Sequence, residues 1–259
     1  MLILLPPSES KTRPDPSCAA GFDPELLSFP SLHAARGTML RAAGATARSA
    51  SAAARLGVPA SAPELVARMA QLEHEPAVPA LEVYSGVLYD QLDSSALPSP
   101  DRRVLIQSAL LGVVDAQHDR IPAYRLSADS QVHRLGKAGA WWRRRLDPIG
   151  AALLAETAAS PTPLVLDCRS GAYRAMMPLR SGSGVRVLEV SPVQERGGVR
   201  KVISHDAKRC RGWVTRALLQ DQRPLPDADA LLGLLQEVFA GELGVELEGD
   251  RLVMVDRAD

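Results

Sequence analysis

The stretch Met1 to Thr12, MLILLPPSESKT, decides how the chain is read. Its first five residues are apolar and end at Pro6-Pro7, the length and the termination of a buried strand. Five apolar residues fall far short of the roughly 18–20 that a membrane span needs. No basic segment precedes them and no small-residue cleavage site follows, so the stretch does not read as a signal peptide. The loop after the strand, Ser8-Glu9-Ser10-Lys11-Thr12, brings hydroxyls and a lysine to the strand's end, a candidate anion site. It is not a Walker A motif, because the glycines and the GK[ST] ending are missing. A solvated turn is the competing reading.

Outward from this strand the chain alternates without a regular βαβ beat. An alanine- and arginine-rich stretch from Leu32 to Leu56 predicts a helix, broken at LGVPASAP, and a second helix starts at Ser61-Ala62-Pro63-Glu64 and runs to Leu72. Residues 32–76 could thus form a helical hairpin lobe of the helix-hairpin-helix kind, which grips DNA backbone through main-chain N–H groups; a plain antiparallel helix pair is the alternative. A helix is expected over Leu81–Leu92, a strand over Val104–Ser108, and a helix over Ala138–Ala155. Leu164–Asp167 reads as a second buried strand. Val185–Val190 and Val199–Ser204 read as paired strands around QERGG. Asp206 caps a helix to Leu219, Asp227–Ala240 is helical, and Gly244–Val255 closes the chain as a hairpin around Glu248-Gly249-Asp250. The expected fold is a single α/β mixed (α+β) domain over residues 1–259, with a mixed sheet, surrounding helices and a basic cleft.

Composition supports a folded, cytoplasmic, non-membrane protein: 259 residues, 46% hydrophobic and 23% charged. Cys18, Cys168 and Cys210 form no C-x-x-C pair, which argues against a disulfide framework or a structural zinc. No metal-ligand spacing appears, and neither a metal nor another cofactor is expected. Thirty basic and thirty acidic residues cancel, but unevenly. Glu195–Arg216 holds seven basic residues against two acids, whereas Ala217–Asp259 holds ten acids against three arginines. Either this asymmetry makes a local positive surface, or the two segments pair across the fold. Arginine outnumbers lysine 26 to 4, so Lys11, Lys137, Lys201 and Lys208 stand where arginine is the default.

Further polar constellations follow. Val83-Tyr84-Ser85-Gly86 could line a cleft or merely start a helix. In DRIPAYRLSAD (119–129), Arg120 and Arg125 flank Tyr124, an arrangement suited to stacking and phosphate contact or to an ordinary surface loop. DCRSGAYRAM (167–176) sets Ser170, Tyr173 and Arg174 beyond the end of a buried strand, where α/β folds bind ligands. In His205-Asp206-Ala207-Lys208-Arg209-Cys210-Arg211-Gly212, Lys208 and Arg211 fall at i,i+3 near a helix N-terminus, an unfavourable place for cations unless an anion compensates. Cys210 between two arginines is either a stabilised thiolate or, more commonly, a buried inert thiol. Ser-His-Asp, H-E-x-x-H, G-x-S-x-G and G-x-G-x-x-G patterns are all absent from the sequence.

Taken together, MLILLPPSESKT, VYSGVLYDQL, LIQSALLGVVDAQHDRIPAYRLSAD, PLVLDCRSGAYRAM and VISHDAKRCRGWVTRALL resemble, in order, the YaaA family of peroxide stress proteins. The resemblance implies a mixed fold around a positively charged cleft with a helix-hairpin-helix element. It further implies binding of structured or distorted DNA and a role in limiting iron-dependent oxidative damage. Carried onto this chain, it points to Ser8 and Lys11, Tyr84 and Gly86, Tyr124 and Arg125, Ser170 and Tyr173, and Lys208, Arg211 and Gly212. The neutral net charge departs from the basic character of that family.

Two function classes follow. In the first, a DNA-binding protein holds phosphates through Ser8, Lys11, Tyr124, Arg125, Arg174, Lys208 and Arg211. In the second, an enzyme acts on a small phosphorylated, nucleotide-like or nucleobase substrate in the same cleft, with Lys11, Lys208, Tyr84 and Ser170 as candidate catalytic groups and a lysine serving as base or nucleophile. Iron sequestration by the protein itself has no ligand set behind it.

Overall fold

The computed structural model describes residues 1–92, 101–202 and 206–257. Met1–Leu5 are all buried and form the central strand β1 (Leu2–Leu5), which is why a five-residue apolar run suffices: both of its faces are covered. It lies parallel to β2 (Arg103–Ser108) on one side and to β4 (Leu164–Asp167) on the other. Strand β3 (Gly112–Asp115) returns antiparallel to β2. On the far side β5 (Arg186–Arg196) runs parallel to β4, with β6 (Val199–Val202) hairpinned back onto it. The closing hairpin, β7 (Gly244–Glu248) and β8 (Arg251–Asp256), joins through β8, parallel to β5. The main sheet is therefore eight-stranded and mixed, in the order β7-β8-β5-β4-β1-β2-β3 with β6 on β5. The expected β6 continues to Ser204; residues 203 and 204, and His205 of the basic motif, lie outside the described residues.

Helices cover the sheet. The alanine-rich segment folds not as one helix to Leu56 but as α1 (His33–Ala47) and α2 (Ala52–Leu56). The break at residues 48–51 has a local cause. Thr46 Oγ1 donates to Ala42 O (2.8 Å) and Ser49 Oγ to Thr46 O (2.7 Å), bonds that compete with the helical ladder. Gly57 ends α2 in the left-handed conformation (φ 67°), and α3 spans Glu64–Ala70. The expected helix over 81–92 is also interrupted. Only α4 (Ala80–Val83) and a 3-10 turn at Tyr89–Gln91 form, because Tyr84 is extended and Gly86 sits at φ 95°. The remaining helices are α5 (Ala138–Ala158), α6 (Gly171–Met176), α7 (Ala207–Gln220) and α8 (Ala228–Val238). Asp206 precedes α7 as expected, but its carboxylate makes no capping bond and pairs instead with Arg209 (3.4 Å). One continuous apolar core runs from Met1 through Met39, Trp142 and Leu231 to Met254.

This topology fixes where a ligand can sit. The chain leaves β1 toward β2 and leaves β4 toward β5, in opposite directions from two adjacent parallel strands. The crevice beyond the carboxyl ends of such a pair is where open α/β sheets bind ligands.

Candidate functional site

A cavity of about 440 Å³ lies at that crevice, within the range of small-molecule sites. The loop after β1 contributes Ser8, Glu9, Ser10 and Lys11, and the segment after β4 contributes Ser170 and Tyr173. Gly86 and Tyr89, Arg125, and the first turns of α7 with Lys208 and Arg211 complete it. Motifs spread from residue 8 to residue 211 thus meet at one place.

Lys11 forms part of the wall. Its backbone bridges to Tyr84 as a short antiparallel pairing, with Thr12 N–H donating to Val83 O (2.8 Å) and Ser85 N–H to Ser10 O (3.3 Å). The side chain then runs over buried aromatic rings, Nζ lying 4.2 Å from the Tyr124 ring centre and 5.1 Å from that of Tyr84. Nζ donates to Ser8 O at 2.6 Å. Among the described residues no carboxylate approaches it within 4 Å, since Glu9, its nearest acidic neighbour in sequence, is engaged by Arg125 (3.2 Å). Burial first, then the charge of Arg125, bring the Lys11 amine down to about 7, Glu9 opposing weakly. A desolvated ammonium gains about 2 kcal/mol from an aromatic face, which without a counter-ion does not outweigh its desolvation.

Beneath the lysine the tyrosines form a hydroxyl cluster. Tyr124 Oη is 2.7 Å from Ser108 Oγ and 2.8 Å from Tyr84 Oη, all three residues being buried. Ser108 Oγ already accepts the N–H groups of Leu110 (3.2 Å) and Leu111 (2.9 Å), so its own proton is directed to the tyrosine oxygens. Tyr89 stacks on Tyr84 with centroids 5.2 Å apart and donates to Pro6 O (2.7 Å), tying the loop after β1 to the aromatic floor. Desolvation raises the phenols of Tyr84, Tyr89 and Tyr124 above the ordinary value and that of Tyr173 to about 12, so all four stay protonated donors near neutral pH.

The cationic rim comes from α7. Lys208 is exposed and Arg211 partly buried, and neither is ion-paired among the described residues. Arg211 Nε is shielded from solvent yet meets no acceptor among the described residues. Gly212 explains how α7 comes so close: a Cβ there would meet Leu88 O at 2.5 Å and Gln91 Cβ at 2.9 Å. Beside it Trp213 Nε1 donates to Gln91 Oε1 (2.9 Å), locking the helix to the turn that carries Tyr89. Gly86 plays the matching part opposite, its Cβ position lying 3.3 Å from Ser8 Oγ.

Other expected site residues have different surroundings. Arg125 spends its donors on Gly57 O (2.7 and 2.9 Å) and on Glu9 (3.2 Å), bracing the helical segment to the loop after β1. Arg174 pairs with Glu189 and lies outside the cavity lining. Ser170 precedes α6 with its hydroxyl uncommitted to a capping bond. Behind it Arg169 is fully buried, doubly paired with Asp167 (2.6 and 2.9 Å) and bonded to Gln107 (2.6 Å) and Met177 O (2.9 Å), which holds the loop in place. The asymmetric charge is partly internal: Arg200 pairs with Glu195, Glu246 and Glu248 at 2.8–2.9 Å, binding the basic strand to the acidic closing hairpin. Of the two readings of Cys210, the buried thiol is the observed one, pushed up to about 11 chiefly by desolvation.

The residues that sequence reasoning passed over are Tyr89, Ser108 and Gln91. Tyr89 carried a signal, as the second aromatic of VYSGVLYDQL, and Ser108 stands at the carboxyl end of a strand; Gln91 acts only through tertiary neighbours. A further cavity of about 450 Å³ opens at the opposite end of the strands, beside Met1, Arg103 and Glu156. There Arg103 already pairs with Glu156 (3.2 Å) and Asp115 (3.6 Å), and the sequence motifs are elsewhere. Among the described residues no helix is long and apolar enough to cross a membrane.

Comparison with known proteins gives a consistent result. The family described as "Peroxide stress protein YaaA" matches residues 1–237. A UPF0246 protein of Corynebacterium glutamicum is 37% identical over 240 residues, covering 91% of this chain and 92% of that one. A UPF0246 protein of Streptomyces coelicolor is 36% identical over 255 residues, covering 93% and 92%.

Proposed function

Because the chain belongs to the YaaA family of peroxide stress proteins, we propose that its part in the peroxide response is to bind a phosphate-bearing ligand of nucleotide size in the cavity between β1 and β4. The observation that carries this reading is the state of the two rim cations. Some arginines elsewhere, among them Arg169, Arg200 and Arg223, are paired with carboxylates. Among the described residues Lys208 and Arg211, both facing one concavity, have no such partner, and a donor of Arg211 is buried without an acceptor. An unsatisfied buried donor costs about 1–3 kcal/mol, a cost that a phosphate oxygen removes on binding. The hydroxyls of Ser8 and Ser170 add neutral donors to the same wall. At the floor the Lys11 amine, poised near neutrality, is suited to serve as base or nucleophile toward the bound molecule.

The test is thermal-shift screening of the full chain with nucleotides, phosphorylated metabolites and inorganic phosphate. A rise in melting temperature that is lost in Lys208→Ala/Arg211→Ala supports the reading. A clean screen on well-folded protein overturns it.

A second reading, contact with DNA phosphates, is favoured by the exposure of Lys208 at the rim, where a polymer backbone can reach it without entering the cavity. On this reading the segment 32–76 acts as a backbone-gripping hairpin lobe, and limitation of iron-dependent damage follows from shielding the DNA. Anisotropy of labelled duplex and four-way-junction DNA across a salt series separates the two. Polymer binding falls with a log–log salt slope near −0.9 for each phosphate neutralised; cavity binding of a single phosphate does not fall so steeply.

A further inference from the structure

We infer that Lys11 is a carbonyl-condensing residue: the cavity accepts a phosphorylated aldehyde or ketone, whose phosphate rests on Lys208 and Arg211 and whose carbonyl carbon forms an imine with Lys11 Nζ. This rests on the anionic-ligand reading above and names its substrate class.

The first argument is residue choice. With 26 arginines to 4 lysines in the chain, lysine is the rarer cation, and Lys11, unlike the exposed rim residue Lys208, is set against buried aromatic rings. A primary amine does what a guanidinium cannot, since it loses its proton and condenses with a carbonyl. The second argument is the amine's setting. Nζ has one hydrogen bond, to Ser8 O, and no carboxylate partner among the described residues. Two tyrosine rings enclose it, yet Lys11 lines both the main cavity and a smaller one of about 260 Å³ beside Pro59, Leu65 and Tyr124. The amine is thus desolvated, on a residue that lines both compartments. By contrast, Lys137 is exposed and paired with Asp129 at 3.0 Å. The lowered affinity of Lys11 for its proton, to about 7, agrees with this geometry.

The step balances with no other reactant. The nitrogen lone pair of the neutral amine attacks the carbonyl carbon, and the C=O π pair moves to oxygen, which takes a proton. Nitrogen gives up one proton. Its lone pair then forms the C=N bond as the hydroxyl, protonated again, leaves as water, and the iminium nitrogen releases its second proton, which restores the one taken up. The net change is amine plus carbonyl to imine plus water. The buried hydroxyls of Tyr84 and Tyr124, held protonated, keep a weak acid rather than a base beneath the reacting nitrogen.

The test uses the full chain with pyridoxal 5′-phosphate, a phosphorylated aldehyde, followed by borohydride reduction and peptide mapping over Lys11, Lys137, Lys201 and Lys208. The expected result is at least tenfold faster labelling of Lys11 than of Lys137, with a half-maximal rate near pH 7. Excess inorganic phosphate is expected to slow it, and pyridoxal without phosphate to react about tenfold more slowly. Lys11→Arg, checked by its melting curve to be folded, loses the adduct. Labelling of Lys208 ahead of Lys11, or of Lys11 no faster than Lys137, overturns the imine inference; a retained thermal shift with phosphate in that protein leaves the anion reading standing. Equal labelling by pyridoxal and its phosphate, with no protection by inorganic phosphate, overturns the anion reading and with it the substrate class.

Discussion

Gly212→Ala is the substitution that most sharply probes how the rim of the site is built. Gly212 lies inside α7, where alanine is intrinsically better than glycine by about 1 kcal/mol. Against this, the new Cβ would stand 2.5 Å from Leu88 O and 2.9 Å from both Cβ and Cγ of Gln91. The closest of these is backbone, and the turn that carries it also bears the Asp90 carboxylate that accepts from Gly86 N–H (2.9 Å), so it cannot yield alone. Overpacking of this kind costs about 1–3 kcal/mol, and a backbone clash belongs at the upper end. The net loss is therefore about 2 kcal/mol, or roughly 4–8 °C in melting temperature for a chain of this size. Gly233→Ala supplies the control of opposite sign: Gly233 is exposed in the middle of α8 with no atom within 4 Å of its Cβ position, and alanine there raises stability by up to about 1 kcal/mol. Thermal and urea unfolding followed by circular dichroism read both variants. A Gly212→Ala protein as stable as the parent, or more so, would refute the claim that α7 is seated by direct contact with the Leu88–Gln91 turn.

Asp167→Asn leaves the Arg169 guanidinium fully buried with an uncompensated charge, so the urea midpoint should fall by the equivalent of about 3–5 kcal/mol. The Lys11 amine gives a pH signature. Its affinity for the proton is lower in the folded state (about 7) than in the unfolded chain (10.5), so between these values the unfolded chain holds a proton that the folded protein lacks. Stability relative to Lys11→Met therefore rises with pH across that window, by up to about 1.4 kcal/mol per pH unit, and is flat below pH 7. Among the three cysteines, exposed Cys18 should react with a thiol reagent in native protein, whereas Cys168 and Cys210, buried and with thiols pushed up to about 12 and about 11, should react only as the protein unfolds.

Much of this fold is written in short local signals. MLILL and LVLD are apolar runs ended by proline or by charge, and both are central parallel strands. QERGG marks a hairpin because Gly197 and Gly198 supply the positive φ values that its turn requires. The helical stretches were harder to delimit. Composition from Leu32 to Leu56 favours helix throughout, and the break arises from hydroxyl-to-carbonyl bonds of Thr46 and Ser49 that no hydrophobic period reveals. The parallel character of the sheet was hidden for another reason. The link from β1 to β2 spans residues 6–102, so the two strands pair across nearly a hundred residues. The site was legible as a set of polar motifs, and the switch between β1 and β4 is what brings them together. Individual roles were less visible: Arg125 looks like a phosphate ligand in sequence and braces Gly57 and Glu9 in the fold. Net neutrality likewise concealed that the closing hairpin engages Arg200, while Lys208 and Arg211 have no ion-pair partner among the described residues.

The central claim is that this cavity binds an anion through Lys208 and Arg211. Calorimetric titration of a nucleoside monophosphate into the wild-type chain and into Lys208→Ala/Arg211→Ala, at about 50 and 200 mM salt, tests it most directly. The account predicts saturable one-to-one binding to the wild type, weaker at the higher salt, and at least a tenfold loss in the double variant with its melting curve intact. Equal affinity in the two proteins would contradict it.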